Sequence, residues 1–122
     1  MLNILAVGAG GFLGAVCRYL IGLVPISESF IFPIKTFFIN IVGCIVIGII
    51  AVAVTRSYEM NPQMLLFLKV GLCGGFTTFS TFALETADLM KNGHTGVAFL
   101  YVLLSVLVGV AVIFAVEYFS AR

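Results

Sequence analysis

The chain has 122 residues, 62% of them hydrophobic and 9% charged, with six basic and five acidic side chains. So few charges cannot coat a soluble domain, so the composition excludes a water-soluble enzyme or binding module and reads as an integral membrane protein. Hydrocarbon about 30 Å thick takes roughly 20 helical residues per crossing, which fits four crossings in one all-helical domain over 1–122 and no soluble module.

Hydropathy places the first crossing over residues 2–24. It lacks a basic start and carries Arg18 near its far end, which argues against a cleaved signal peptide. Gly10, Gly14, Arg18 and Gly22 recur every four residues and so share one helix face. Small residues allow close backbone approach, either to a neighbouring helix of the same chain or to a second copy. Arg18 costs up to about 2.5–3.5 kcal/mol if it reaches mid-membrane. Two roles are open to it: a snorkelling anchor, or a fixed positive charge that draws anions into a watery vestibule.

After the loop "PISESFIFP" the second crossing covers residues 35–54, with Thr36 and Asn40 one turn apart near its start. An amide offers two donors and an acceptor that need partners in lipid. Asn40 is therefore interhelical glue or a pore-lining donor.

The third crossing follows "TRSYEMNP" and covers residues 62–90, with Lys69 a couple of turns in. It contains "VGLCGGFTTFSTFALE". Gly74 and Gly75 are weak helix formers, and Thr77, Thr78, Ser80 and Thr81 bring oxygens that compete with backbone bonds. The helix is expected to break near residues 74–78. A break at membrane depth leaves backbone groups that protein, water or an ion must satisfy, and exposed carbonyls in such breaks take Na⁺ in transporters. Phe79 and Phe82 are three apart and share a face. Their positive ring edges suit a small dehydrated anion or, more plainly, packing and lipid contact; Ser80 and Thr81 stand beside them as conventional donors.

The fourth crossing follows "KNGHTG" and covers residues 97–119. Tyr101, Ser105 and Gly109 lie along one stripe of it. The hydroxyls either bond back to their own helix or line a polar track.

Cys17, Cys44 and Cys73 fall inside crossings at no metal-ligand spacing and read as small buried apolar residues. His94 is a lone loop histidine. No phosphate loop, dinucleotide fingerprint, zinc motif or catalytic triad order is present, so an enzyme is not expected.

Four crossings put both termini on one side. That side holds Arg56, Lys69 and Arg122, while Arg18, Lys35 and Lys91 lie toward the other. Three against three gives the positive-inside rule nothing to act on. The balance is consistent with insertion in both orientations and antiparallel pairing of two copies, or with a single orientation set by another signal.

The run "GGFTTFSTF" at 74–82 closely resembles the signature of the Fluc (CrcB) fluoride channel family. "GGFLGAVCRY" at 10–19 is similar to that family's first-helix motif, and "FFINIVGC" at 37–44 to its second-helix motif; the likeness covers nearly the whole chain. The resemblance implies a passive fluoride channel in the bacterial inner membrane, lowering cytoplasmic fluoride, built as an antiparallel dual-topology homodimer with two pores. It further implies that Phe79 and Phe82 present ring edges to fluoride, and that Asn40, Ser80, Thr81, Tyr101 and Ser105 line the path. Arg18 would stand in the vestibule, and the carbonyls of Gly74 and Thr77 from both copies would hold a structural Na⁺ at the dimer centre. Gly109 stands where some family members carry a hydroxyl, so this chain departs from the pattern at that end of the track.

Two other readings use the same composition. A small multidrug-type exporter would carry a membrane-embedded glutamate in its first helix, but that helix has no acid and the chain has no tryptophan to stack on an aromatic cation. In a non-transporting assembly subunit, the hydroxyls would serve only as interhelical glue.

Overall fold

The structure is a computed structural model that describes residues 1–27, 29–56 and 59–120; Arg122, counted above in the charge balance, lies outside the described residues. Among the described residues every regular element is helical. Helix α1 spans Leu2–Gly22 and α2 spans Ile34–Arg56. The third segment, Pro62–Lys91, is composite, and the last helix spans Thr95–Ser120. All four are long and apolar enough to cross a bilayer, so the chain is a multi-pass membrane protein.

The composite segment begins with α3 (Pro62–Leu65), whose start is set by Asn61 and Pro62. The Asn61 side chain accepts from the Gln63 N–H at 2.8 Å, and proline at the first helical position has no N–H to orphan. Leu66–Cys73 is then wound as a π-helix, with the wider i→i+5 turn. A short α-helical stretch, α4 (Gly74–Phe76), follows, and α5 runs over Phe79–Lys91. It ends at Asn92 and at Gly93, whose φ of 82° suits glycine, and the His94 N–H returns to the Leu89 carbonyl at 2.8 Å. That tight stop lets α6 (Thr95–Ser120) fold back directly.

Neighbours in sequence are not the main neighbours in space. Helix α1 packs chiefly on the π-wound stretch and α4, while α2 packs chiefly on α6, which α5 also contacts. The α1 seam is a backbone contact. A methyl group on Gly10 would lie 2.8 Å from the Leu72 nitrogen, and one on Gly14 would lie 2.7 Å from the Phe76 nitrogen. From the other side, a methyl on Gly71 would meet the Gly10 Cα at 2.8 Å. The glycine face of α1 is thus used within the chain at Gly10 and Gly14, whereas Gly22 has open space. Lys35 at the start of α2 donates to the Gly22 carbonyl at 2.8 Å and so caps α1.

The most enclosed core lies where α5 meets α6. Leu89, Ala98 and Tyr101 are buried there, with Phe32, Phe37, Phe82 and Val97 packed around them. Elsewhere large apolar side chains face outward, as lipid contact requires. Cys73 is buried and Cys44 half-buried, but Cys17 is exposed, contrary to the expectation of three buried cysteines: it follows Gly10 and Gly14 on the same face of α1 but borders an open pocket shared with Leu72, Cys73 and Phe76.

Candidate functional site

The site is organised around two residues that leave helical geometry. Thr77 (φ −75°, ψ 157°) and Thr78 (φ −147°, ψ 112°) are extended between α4 and α5. The glycine pair just before them stays helical; the turning point is the threonine pair. Thr77 still donates its N–H to the Cys73 carbonyl at 3.0 Å, and its hydroxyl donates to the same oxygen at 2.9 Å. The next N–H departs from the ladder. Thr78 donates it to Asn40 Oδ1 at 2.8 Å, and Asn40 Nδ2 donates to the Thr78 carbonyl at 3.2 Å. In a continuing helix that N–H would go to the Gly74 carbonyl. One amide on α2 thereby replaces a turn of backbone pairing.

On the far side of the interruption Thr78 caps α5. Its hydroxyl accepts from the Thr81 N–H at 3.3 Å and donates to the Thr81 hydroxyl at 3.0 Å, with the Ser80 hydroxyl 3.4 Å away. Thr78 is only 7% exposed, yet Ser80 and Thr81 are exposed on the single chain. The Thr77 carbonyl accepts from Arg18 Nη1 at 3.3 Å, so the first-helix arginine is turned onto the interruption.

Phe79 and Phe82 lie on the first turn of α5 with ring centroids 5.7 Å apart and planes tilted by 45°. Their environments differ. Phe82 packs edge-wise on Tyr101 at 5.0 Å, whereas Phe79 is 79% exposed. Tyr101 itself is fully buried and donates its hydroxyl to Glu85 at 2.8 Å. The other Glu85 oxygen accepts from the Thr36 hydroxyl at 2.7 Å. One carboxylate thus ties α2, α5 and α6 together beside the Phe82 ring. One turn beyond Tyr101, the Ser105 hydroxyl is buried with no hydrogen-bond partner among the described residues, and two turns beyond, Gly109 lies against the Cys44 sulfur.

An open groove of about 340 Å³ runs along the outer face of this region, lined among others by Asn40, Lys69, Gly74, Thr77 and Phe79. The amide of Asn40 has a second N–H beyond the one given to Thr78, and Asn40 borders the groove.

Residues 5–116 match the family described as CrcB-like protein, Camphor Resistance (CrcB). The chain belongs to the CrcB family. It is 46% identical over 116 residues to a protein of Chlorobaculum tepidum named fluoride-specific ion channel FluC, covering 94% of this chain and 91% of that protein. A protein of the same name from Methylobacillus flagellatus is 42% identical over 111 residues, covering 89% and 87%. Another, from Agrobacterium fabrum, is 40% identical over 116 residues, covering 94% and 93%. Those relatives are named as channels, a class of transporter and not of enzyme.

In this CrcB chain the fold pairs Asn40 with the Thr78 backbone and Phe82 with Tyr101, and α2 carries both Asn40 and the Thr36 that shares Glu85 with Tyr101. Gly74 and Phe79 border the groove; Ser80 and Thr81, on the first turn of α5, are exposed but are not among its lining residues. Arg18 reaches the cluster from behind and is not among the groove-lining residues. Three participants escaped the sequence reading as a unit. Glu85 has no role in that reading, Thr36 is only a neighbour of Asn40, and Thr78 is one hydroxyl among four. Only Thr78 carried a local signal, as an N-cap threonine three residues before another hydroxyl.

Proposed function

We propose that this CrcB chain is the subunit of a fluoride-selective channel that lets fluoride leave the cytoplasm passively across the bacterial inner membrane, lowering its toxicity. The observation that carries the reading is 46% identity along nearly the full length of a protein named a fluoride-specific ion channel. The residue chemistry supports it. Fluoride is small and strongly hydrated, and a conduit must replace its water without holding it too tightly. Asn40, Ser80, Thr81 and Ser105 carry amide and hydroxyl donors, Tyr101 lies beside them with its own hydroxyl given to Glu85, and the ring edges of Phe79 and Phe82 supply weak donors. The Ser105 hydroxyl fits this path, because a buried donor with no hydrogen-bond partner among the described residues is unusual.

The functional unit is read as two such chains in antiparallel orientation, with two pores. The balanced charges permit dual insertion, and Phe79, largely bare on one chain, would be covered by a second. A sodium ion at the centre suits the carbonyls of Gly74 and Thr77. The Thr78 N–H, which a continuing helix would give to Gly74, goes to Asn40 instead, and carbonyls are the oxygen donors sodium takes in interrupted helices. When bound, the ion would neutralise the carbonyl dipoles gathered there and help hold the two copies together.

Purified protein in liposomes loaded with fluoride tests the function directly. Rapid efflux of fluoride but not of chloride is expected; vesicles that retain fluoride would overturn the proposal. Reporter tags on the carboxyl terminus should give signal on both faces of the membrane, and signal on one face alone would remove the dual topology.

A further inference from the structure

We propose that the Cys44 thiol is a hydrogen-bond donor on the fluoride path, set where α6 has only Gly109 to offer. This rests on the channel reading above and adds to it a residue that touches the ion.

Helices α2 and α6 have one crossing between them and so run in the same direction, packed side by side. Their contacts keep one register. Thr36 and Tyr101 share the Glu85 carboxylate. The Cys44 sulfur lies 3.3 Å from where a methyl on Gly109 would stand, and a methyl on Gly48 would lie 3.6 Å from the Ile113 Cα. Each pair is the previous one moved along both helices by the same number of residues. The register therefore sets Asn40 level with Ser105, between the first two pairs.

Level by level, the donors along this line are spent, then unspent, then absent. At the first level Thr36 and Tyr101 give their hydroxyls to Glu85. At the second, Asn40 gives one amide N–H to the Thr78 carbonyl and keeps another without an acceptor among the described residues. The Ser105 hydroxyl beside it is buried and equally without a described partner. At the third, the Cys44 thiol forms no hydrogen bond with any described residue, and Gly109 has no side chain. At the fourth, Gly48 packs against Val116 and Ile113, and the polar groups end. Successive levels are one turn, about 6 Å, apart. Buried donors are ordinarily satisfied, so donors left free over two adjoining levels mark a line along which something outside the chain is bonded. Cys44 is the last donor of that line.

A thiol suits the position. S–H is a weak donor, so it replaces part of the water around fluoride without trapping the ion. Its sulfur also fills the space that a side chain at 109 would need, so the two positions offer one donor between them.

Fluoride efflux from liposomes holding the full chain tests the assignment, compared at equal amounts of protein that elutes as the parent does. Cys44→Ala should slow efflux about two- to fivefold, as loss of one weak donor implies. Cys44→Ser should match or exceed the parent, because a hydroxyl donates from the same place. Cys44→Ala combined with Gly109→Ser moves the donor across the contact, into the space the sulfur leaves, and should return efflux toward the parental rate. A packing role gives the reverse order, since alanine keeps the position apolar and serine buries a hydroxyl there. Parental efflux in Cys44→Ala, Cys44→Ser as slow as Cys44→Ala, or a double variant that recovers nothing would each overturn the inference. A parental protein that passes no fluoride would remove the channel reading instead, which is a separate result.

Discussion

Asn40 and Thr78 exchange two hydrogen bonds, side-chain amide to main-chain peptide, at 2.8 and 3.2 Å. The pair closes an opening in the third segment with a group from the second. A peptide that has left its helix inside a membrane must find partners, and here both its N–H and its carbonyl find one side chain. Asn40→Leu removes both partners and should lower stability by about 1–3 kcal/mol, read as a drop in the thermal unfolding midpoint of the purified protein. Asn40→Asp keeps an acceptor for the Thr78 N–H but sets a carboxylate oxygen against the Thr78 carbonyl and beside an anion path. It should unfold between Asn40→Leu and the parent and pass fluoride at least about tenfold more slowly, the factor corresponding to about 1.4 kcal/mol. Normal flux in Asn40→Asp would make the residue a packing group only.

The two phenylalanines should separate in a stability assay and agree in a flux assay. Phe82 packs on buried Tyr101, so Phe82→Ile loses an aromatic pair and should cost about 1 kcal/mol. Phe79 is largely exposed on one chain, so Phe79→Ile should leave the fold of the subunit intact. Both should cut fluoride efflux; parental efflux in both would remove the ring-edge role.

Gly10 has no room for a side chain. Gly10→Val must force α1 away from the Leu72 backbone, and overpacking of that kind costs about 1–3 kcal/mol or more. Gly22→Val is the matched control, since open space surrounds that position. Circular dichroism melts of the two variants should differ clearly, and coincident melts would mean the α1 seam is not as close as described.

Ser105 offers a test of function without a structural cost. Its hydroxyl is buried and bonds nothing, so Ser105→Ala should keep or slightly raise stability, because no pair is broken and a desolvated polar group is removed. Fluoride efflux should nonetheless fall severalfold, about what one lost hydrogen bond of 0.5–1.5 kcal/mol implies. Lower stability together with parental efflux would assign Ser105 to packing.

Much of the architecture could be read before any coordinates. Four apolar runs separated by breaker-rich loops can only be crossings at this length, and an asparagine inside one of them announces a polar partner. What could not be read was partnership across distance. The glycines at 10 and 14 allow a close approach but do not name the helix that approaches; the answer, Gly71 and its neighbours, is some sixty residues away. Glu85 looked ordinary because its meaning comes from Thr36 and Tyr101, on two other helices. The π winding of Leu66–Cys73 has no residue signature at all. Gly74 and Gly75 are weak helix formers, yet they stay helical beside α1, and the extended residues are the two threonines at the far end of the 74–78 run.

The pairing of first segment with third, and of second with fourth, bears on how the subunit is made. A ribosome delivers the segments one at a time, and the first two have little to hold between them. Each must wait in lipid for a companion that has not yet been synthesised. The backbone seam at Gly10 and Gly14 closes only after the third segment arrives, and the socket around Tyr101 only after the last. Tertiary order therefore comes late in biosynthesis, and a chain truncated before the fourth segment would leave the second without its companion.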